Sequence, residues 1–331
     1  MWRLVLPRGN WLSSAIVLLA FAGLAQAQER AASAAAADTR TAEQWLQLVQ
    51  QAARQLDYSG TIFYQQGSEV RMSRIVHVFD GQVSHERLQP MDGRPREFIR
   101  NADEVKCLIP DARRVVIERR TRAESFPALA ATATAELLQH YEVKVVGRER
   151  VGGFDCQVLL IQPRQGDRYG YRLWVDRTSG LLLRSQTLND RGEVLEQMAF
   201  AEVRIGGVDR EQLKPSWPIE GWRVDEAAHR PVDLNEQGWR LSPPSGFKPL
   251  YAVRRPMHNG PAVQAVYSDG LASLSVFIEP AAPSDTSDAL PPRGPINAYA
   301  RRVGEAMVTV VGEIPADTAR AVAQAAERVG R

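Results

Sequence analysis

Residues 168–190 read RYGYRLWVDRTSGLLLRSQTLND, and the stretch predicts a β-hairpin. Tyr169, Tyr171, Leu173 and Val175 alternate with Gly170, Arg172, Trp174 and Asp176, the period of two that puts successive side chains on opposite faces of a strand. Asp176-Arg177-Thr178-Ser179-Gly180 supplies turn formers, with Gly180 where a hairpin needs a positive φ. The return strand opens on Leu181-Leu182-Leu183 and has no polar face. A strand apolar on both sides has to be covered on both sides, by helices, another sheet or a ligand.

Working outward, the period of two recurs. Strands are predicted at residues 60–66, 70–79, 82–89, 96–100, 104–109, 114–120, 142–150, 157–162 and 194–205, separated by signals such as Gly67-Ser68, Asp80-Gly81, Asp92-Gly93 and Pro110-Asp111. Strand after strand with short turns means an antiparallel meander. Two helices interrupt it. One follows the N-cap candidates of residues 38–41 and carries Trp45, Leu48, Val49, Ala52, Ala53 and Leu56 at helical spacing; the other is predicted over 128–140. Gly206-Gly207 and Pro215-Ser216-Trp217-Pro218 mark a boundary. Beyond it, strands are predicted at 249–254, 262–267, 272–278 and 307–311, a surface loop at 280–295, and a closing helix from Pro315 with a stripe running to Val329.

The chain opens as a secretory leader. Arg3 and Arg8 precede the apolar run Trp11–Leu24, and Ala25-Gln26-Ala27 is a small-x-small cleavage site, so residues 1–27 read as a signal peptide and the protein as periplasmic in a Gram-negative cell. Four units are expected: the leader, a β-rich domain over 28–207, a linker over 208–246, and a small sheet with a C-terminal helix over 247–331. Cleavage takes 41 Lys+Arg to 39, against 39 Asp+Glu. A chain with no net charge argues against nucleic acid as a partner. The only cysteines, Cys107 and Cys156, form a disulfide candidate in an oxidising compartment, with two reduced buried thiols as the alternative.

Chemistry-bearing motifs are few. His77 and His85 are the nearest approach to a metal pair. If Asp80-Gly81 closes a two-residue hairpin, opposite positions sum to 161, His77 faces Ser84, and the imidazoles point to opposite sides of the sheet. No metal and no cofactor is expected. No Gly-x-Ser-x-Gly elbow, His-Glu-x-x-His or phosphate-binding glycine loop is present, so the residues nominate no enzyme. Arg113, Arg114, Arg119 and Arg120 bracket Val115-Val116-Ile117, reading either as a solvated strand edge or as a contact for a lipid phosphate or acidic peptide.

Several blocks resemble the RseB/MucB family of periplasmic regulators of the envelope-stress sigma factor. They include Leu56-Asp57-Tyr58-Ser59-Gly60-Thr61, Arg74-Ile75-Val76-His77, Arg96-Glu97-Phe98-Ile99-Arg100, Phe126-Pro127-Ala128-Leu129, Arg168 to Asp176 with Gly180 to Leu183, Tyr267 to Phe277, and Val311-Gly312-Glu313-Ile314-Pro315. The resemblance implies an α+β protein with a LolA/LolB-like unclosed antiparallel β-barrel covered by helices, then a smaller α+β C-terminal domain. It implies binding to the periplasmic part of an RseA/MucA-like anti-sigma factor, shielding it from regulated proteolysis, with lipopolysaccharide or another acylated amphiphile releasing that hold. It brings no catalytic residues. Phe63, Ile75, Tyr171, Leu173 and Leu183 are the candidates for lining a lipid concavity, each with ordinary core packing as its alternative. A lipid or lipoprotein carrier without a signalling partner is the second reading, and a homo-oligomer stays open.

Overall fold

The computed structural model describes residues 39–119, 133–226, 230–257, 260–282 and 288–329. All of these except Thr39 and Arg40 belong to one compact unit, Thr41–Arg331. The proposed leader, Arg120 and Phe126–Leu129 lie outside the described residues.

Thr41 opens helix α1 (Ala42–Gln55) with a reciprocal cap. Its hydroxyl accepts from the Gln44 amide at 3.2 Å, while the Gln44 side chain accepts from the Thr41 amide at 2.8 Å. The helix buries Trp45, Leu46, Val49, Ala52 and Ala53. Six strands follow: β1 (Tyr58–Gln66), β2 (Glu69–Phe79), β3 (Ser84–Pro90), β4 (Glu97–Asn101), β5 (Glu104–Ile109) and β6 (Arg114–Arg119). After helix α2 (Thr134–His140) come β7 (Tyr141–Val151), β8 (Phe154–Pro163), β9 (Gly170–Asp176), β10 (Leu182–Leu188), β11 (Val194–Ile205) and β12 (Arg223–Glu226). These strands form one sheet in the order β12-β6-β5-β4-β3-β2-β1-β11-β10-β9-β8-β7, antiparallel except for the β12–β6 pair. Its two ends do not pair, so the expected unclosed sheet with covering helices is what the chain forms.

The two-sided leucine run is covered on both sides. Leu182 joins Leu159, Ile161, Tyr171, Leu173 and Val175 in a layer sealed by Trp45, Leu46 and Val49 of α1 and Leu137 of α2. Leu181 and Leu183 join Tyr58, Ile75, Val158, Trp174 and Phe200 in the opposite layer. Each fully buried side chain of this size contributes roughly 1.5–3 kcal/mol. Gly180 adopts φ +79, and a Cβ there would stand 2.5 Å from Leu48 Cγ. The expected turn residue therefore also permits the approach of α1.

A third, smaller cluster (Ile99, Leu108 and Val115) is roofed by Trp217, Ile219 and Trp222. The proline-tryptophan stretch expected as a boundary thus packs on the sheet. Its anchor is Glu97, fully buried, which pairs with Arg87 and accepts from the Ser216 amide at 3.0 Å and hydroxyl at 2.9 Å.

The second sheet contains β13 (Arg230–Pro231), β15 (Lys248–Met257), β16 (Gly260–Ser268), β17 (Ser273–Pro280), β18 (Asp288–Arg293), β19 (Ile296–Val303) and β20 (Ala306–Glu313), in the order β13-β15-β16-β17-β20-β19-β18. Helix α3 (Ala316–Gln324) buries Thr318, Ala319, Val322 and Ala323 as part of its core. A two-stranded sheet, β14 (Trp239–Arg240) with β21 (Glu327–Arg328), completes the domain. Three expectations are corrected here. The surface loop at 280–295 contains β18, and β19 was missed; its residues are mostly half-exposed and its ladders with β18 and β20 identify it. The closing helix stops at Gln324, because Glu327-Arg328 leaves to pair with Trp239-Arg240.

The histidine register also shifts. Asp80 to Val83 makes a wider turn, in which the Asp80 carboxylate accepts from the Gln82 and Val83 amides, so opposite positions sum to 163 and His77 faces Glu86. The shift of two preserves the faces. His77 is buried, stacked on Tyr58 with ring centroids 5.0 Å apart, and its Nδ1 lies 2.7 Å from the Leu56 carbonyl. His85 instead meets the Asp80 carboxylate at 2.8 Å.

Two outcomes follow from this packing. Gly180→Ala should cost about 1–2 kcal/mol from the left-handed backbone alone, with the Leu48 contact adding to it; urea unfolding reads the loss. Burial drives the His77 pKa down, and the Asp80 hydrogen bond drives that of His85 up. The rings should therefore titrate on opposite sides of about 6.5 in NMR spectra. The His77 effect on stability is present above that pH and lost as pH falls, whereas the His85 contribution is present below it and lost as pH rises.

Candidate functional site

The hairpin of residues 168–190 begins at the junction of the two sheets. Arg168, just before β9, points at the turn between β16 and β17, where Asp269 sits. One carboxylate oxygen of Asp269 accepts from the Leu271 and Ala272 amides at 2.9 Å each, which closes the turn. The other accepts from the Tyr141 hydroxyl at 2.8 Å and stands 3.1 Å from Arg168 Nε. Burial pushes the Tyr141 phenol pKa up, so the group stays a donor. The Arg168 guanidinium lies between two rings, 5.1 Å from the Phe247 centroid and 5.7 Å from that of Tyr141, and donates to the Ser245 carbonyl. The two charged side chains are only 3% and 1% exposed. Leu271, next along the turn, packs on the apolar layer beneath α1.

Further contacts tie the sheets together. Asn297 Nδ2 donates to the Tyr169 hydroxyl at 2.9 Å, Thr318 Oγ1 to the Asp167 carbonyl at 3.1 Å, and Gln66 Nε2 to the Arg293 carbonyl at 3.1 Å. Lys248 pairs with Glu136 at 2.6 Å.

Beside these contacts runs a groove. One part, about 800 Å³, is lined by Arg164, Arg168, Tyr169 and Arg172 from the first sheet and by Asn297, Pro315 and Asp317 from the second. A second part, about 910 Å³, lies between Tyr64, Gln66, Glu69 and Arg71 on one side and Arg293, Gly294 and Ile296 on the other. Leu195 borders both. Arg168 is held by Asp269 and Arg71 by Glu69, which leaves Arg164, Arg172 and Arg293 against Asp190 and Asp317 along it, a positive excess of one.

The residues expected to line a lipid concavity are not gathered in one place. Tyr171 and Leu173 lie in the layer under α1, Ile75 and Leu183 in the opposite layer, and Phe63 is half-buried on β1 outside both. None of them lines the groove. The arginine cluster is likewise divided. Arg114 is taken by Asp225 of β12, Arg119 reaches Glu104 at 3.9 Å from the far end of β6, and Arg113 occupies a left-handed position at φ 46. Cys107 and Cys156 are free thiols. They sit on β5 and β8, eight steps apart in the strand order of the sheet. Sequence reasoning placed Arg168 at the head of the hairpin and left Asp269 between two predicted strands, but nothing in the sequence joins the two.

Comparison with known proteins agrees across both sheets. Residues 41–217 match the MucB/RseB N-terminal domain and residues 233–327 the MucB/RseB C-terminal domain. The sigma factor AlgU regulatory protein MucB of Pseudomonas aeruginosa is 32% identical over 289 residues, covering 85% of this chain and 89% of that protein. The sigma-E factor regulatory protein RseB of Escherichia coli K12 is 28% identical over 305 residues, covering 88% and 92%. The solved complex of Pseudomonas aeruginosa MucA and MucB superposes with a TM-score of 0.72 at 28% identity, covering 88% of this chain and 99% of the other. With both of its domains matched in order, the chain belongs to the MucB/RseB family.

Proposed function

We propose that the protein is a periplasmic negative regulator of an envelope-stress sigma factor, acting by holding the periplasmic region of a MucA/RseA-type anti-sigma factor and shielding it from regulated proteolysis. The observation that carries this reading is the match over both domains to MucB, a protein solved in complex with the periplasmic part of MucA. The interdomain groove supports it independently, since both of its parts are walled by both sheets. The related proteins are named as regulators, and the reading requires a binding protein with no catalytic step.

Release by lipopolysaccharide or another acylated amphiphile belongs to the same proposal. An acyl chain gains about 0.8 kcal/mol for each CH₂ removed from water. The apolar layer holding Tyr171 and Leu173 is already filled, so a chain would take the place of α1 contacts from Trp45, Leu46 and Val49. That layer also includes Tyr141 and touches Leu271, the side chains that reach the second domain. A ligand there changes the hold on a peptide only by binding its two states unequally.

Calorimetric titration of the chain with the periplasmic domain of Pseudomonas aeruginosa MucA should give saturable binding that added lipopolysaccharide reverses. Arg172 lines the groove, and its side chain makes no salt bridge or hydrogen bond among the described residues, so Arg172→Glu should weaken that binding about tenfold with little change in stability. Absence of binding to the unmodified chain defeats the peptide reading, and binding indifferent to lipopolysaccharide defeats the release step.

A further inference from the structure

Arg168 and Asp269 are buried, oppositely charged and contributed by different domains, and they do not lie inside either hydrophobic core. Two charges removed from water need more than each other; each also needs its remaining hydrogen-bonding capacity met. Part of that capacity is met from both domains, while Arg168 Nε, 3.1 Å from Asp269 and 3.8 Å from Asp167, is held by charge and makes no hydrogen bond. The first domain provides Tyr141 as a ring against the guanidinium and as a hydroxyl to the carboxylate. The second domain's side provides Phe247 of its own core as the second ring and the Ser245 carbonyl as an acceptor. The second domain provides the carboxylate itself, aimed by the Leu271 and Ala272 amides. A planar guanidinium between two rings, with a fixed carboxylate at its edge, constrains direction as well as distance. An apolar contact alone, such as Leu271 on the layer under α1, would tolerate sliding.

We infer that Arg168 and Asp269 are positioning residues which set the angle between the two domains and thereby the width of the peptide groove. The groove wall begins at this junction: Arg168, Tyr169 and Gly170 line its first-domain side, while Asn297, bonded to the Tyr169 hydroxyl, and Pro315 to Asp317 line the other. Releasing the ion pair frees the β16–β17 turn, and the two walls move with the domains that carry them. The groove's role in peptide binding rests on the function proposed above; the control of domain angle does not.

The test uses Arg168→Met, which keeps length between the rings, Asp269→Asn, which keeps the turn acceptor, and the double variant. Small-angle scattering of the free protein reads domain angle, and titration with the MucA periplasmic domain reads the groove. Both single variants should increase the radius of gyration and weaken binding at least tenfold, and the double variant should be no worse than either single one. Glu97→Gln, which disturbs an equally buried ion pair inside the first domain, should lower stability while leaving scattering and affinity unchanged. Unchanged scattering in folded Arg168→Met and Asp269→Asn, or an equal change in Glu97→Gln, overturns the inference. Should the variants fail to fold, native-state hydrogen exchange of the unmodified protein decides. Amides of Tyr169–Tyr171 and Asp269–Ala272 should open together, before the strands of either core; opening only with global unfolding overturns the inference. If the unmodified chain does not bind the MucA domain, the peptide reading falls while scattering and exchange still judge the domain angle.

Discussion

The fold depends on short stretches of neighbouring strands, Val158–Ile161 of β8, Leu173–Val175 of β9 and the Leu181–Leu183 start of β10, being apolar on both faces. A half-buried sheet could have stopped at one layer. Here Leu182 turns toward α1 while Leu181 and Leu183 turn the opposite way, and each direction demands its own cover. On one side the cover is two helices. On the other, Ile75, Tyr58, Phe200, Leu183, Trp174 and Val158, from six neighbouring strands running from β2 to β8, belong to one contiguous cluster.

The junction between the domains obeys a different economy. Its center is ionic and its periphery is made of single hydrogen bonds, Asn297 to Tyr169 and Thr318 to Asp167. Such a contact area is specific in orientation, because burying a charge without its partner costs several kcal/mol. Among the described residues, Leu271 is an apolar side chain that ties the junction to the layer beneath α1. The second domain is thereby coupled to the helical cover of the first sheet.

Most of the architecture was legible in residue periodicity. The Thr41–Gln44 cap and the alternation from Tyr169 to Asp176 are local signals, and both appear where local rules put them. What was lost depended on partners remote in sequence. Strand β19, Ile296 to Val303, has no clean alternation of burial and exists through its ladders with β18 and β20. The His77 register slipped by two because Asp80 side-chain bonds widen a turn that its dipeptide suggests is tight. Cys107 and Cys156 stand as free thiols on β5 and β8, a placement that no spacing of the two encodes. The candidate groove was not legible at all, since it is walled by residues from both ends of the chain, while Ile75, Tyr171, Leu173 and Leu183 pack in two apolar layers and Phe63 lies outside both.

The roof of Trp217, Ile219 and Trp222 also sets an order of events during synthesis and export. Ile99, Leu108 and Val115 stay uncovered, and β6 stays an open edge, until the polypeptide has emerged through Glu226. A chain that appears from its N-terminus therefore cannot complete its first domain when β11 ends at Ile205. Over the intervening stretch it carries a sticky surface and a free strand margin, the condition in which a nascent protein is most exposed to chaperones, or to a neighbouring copy of itself.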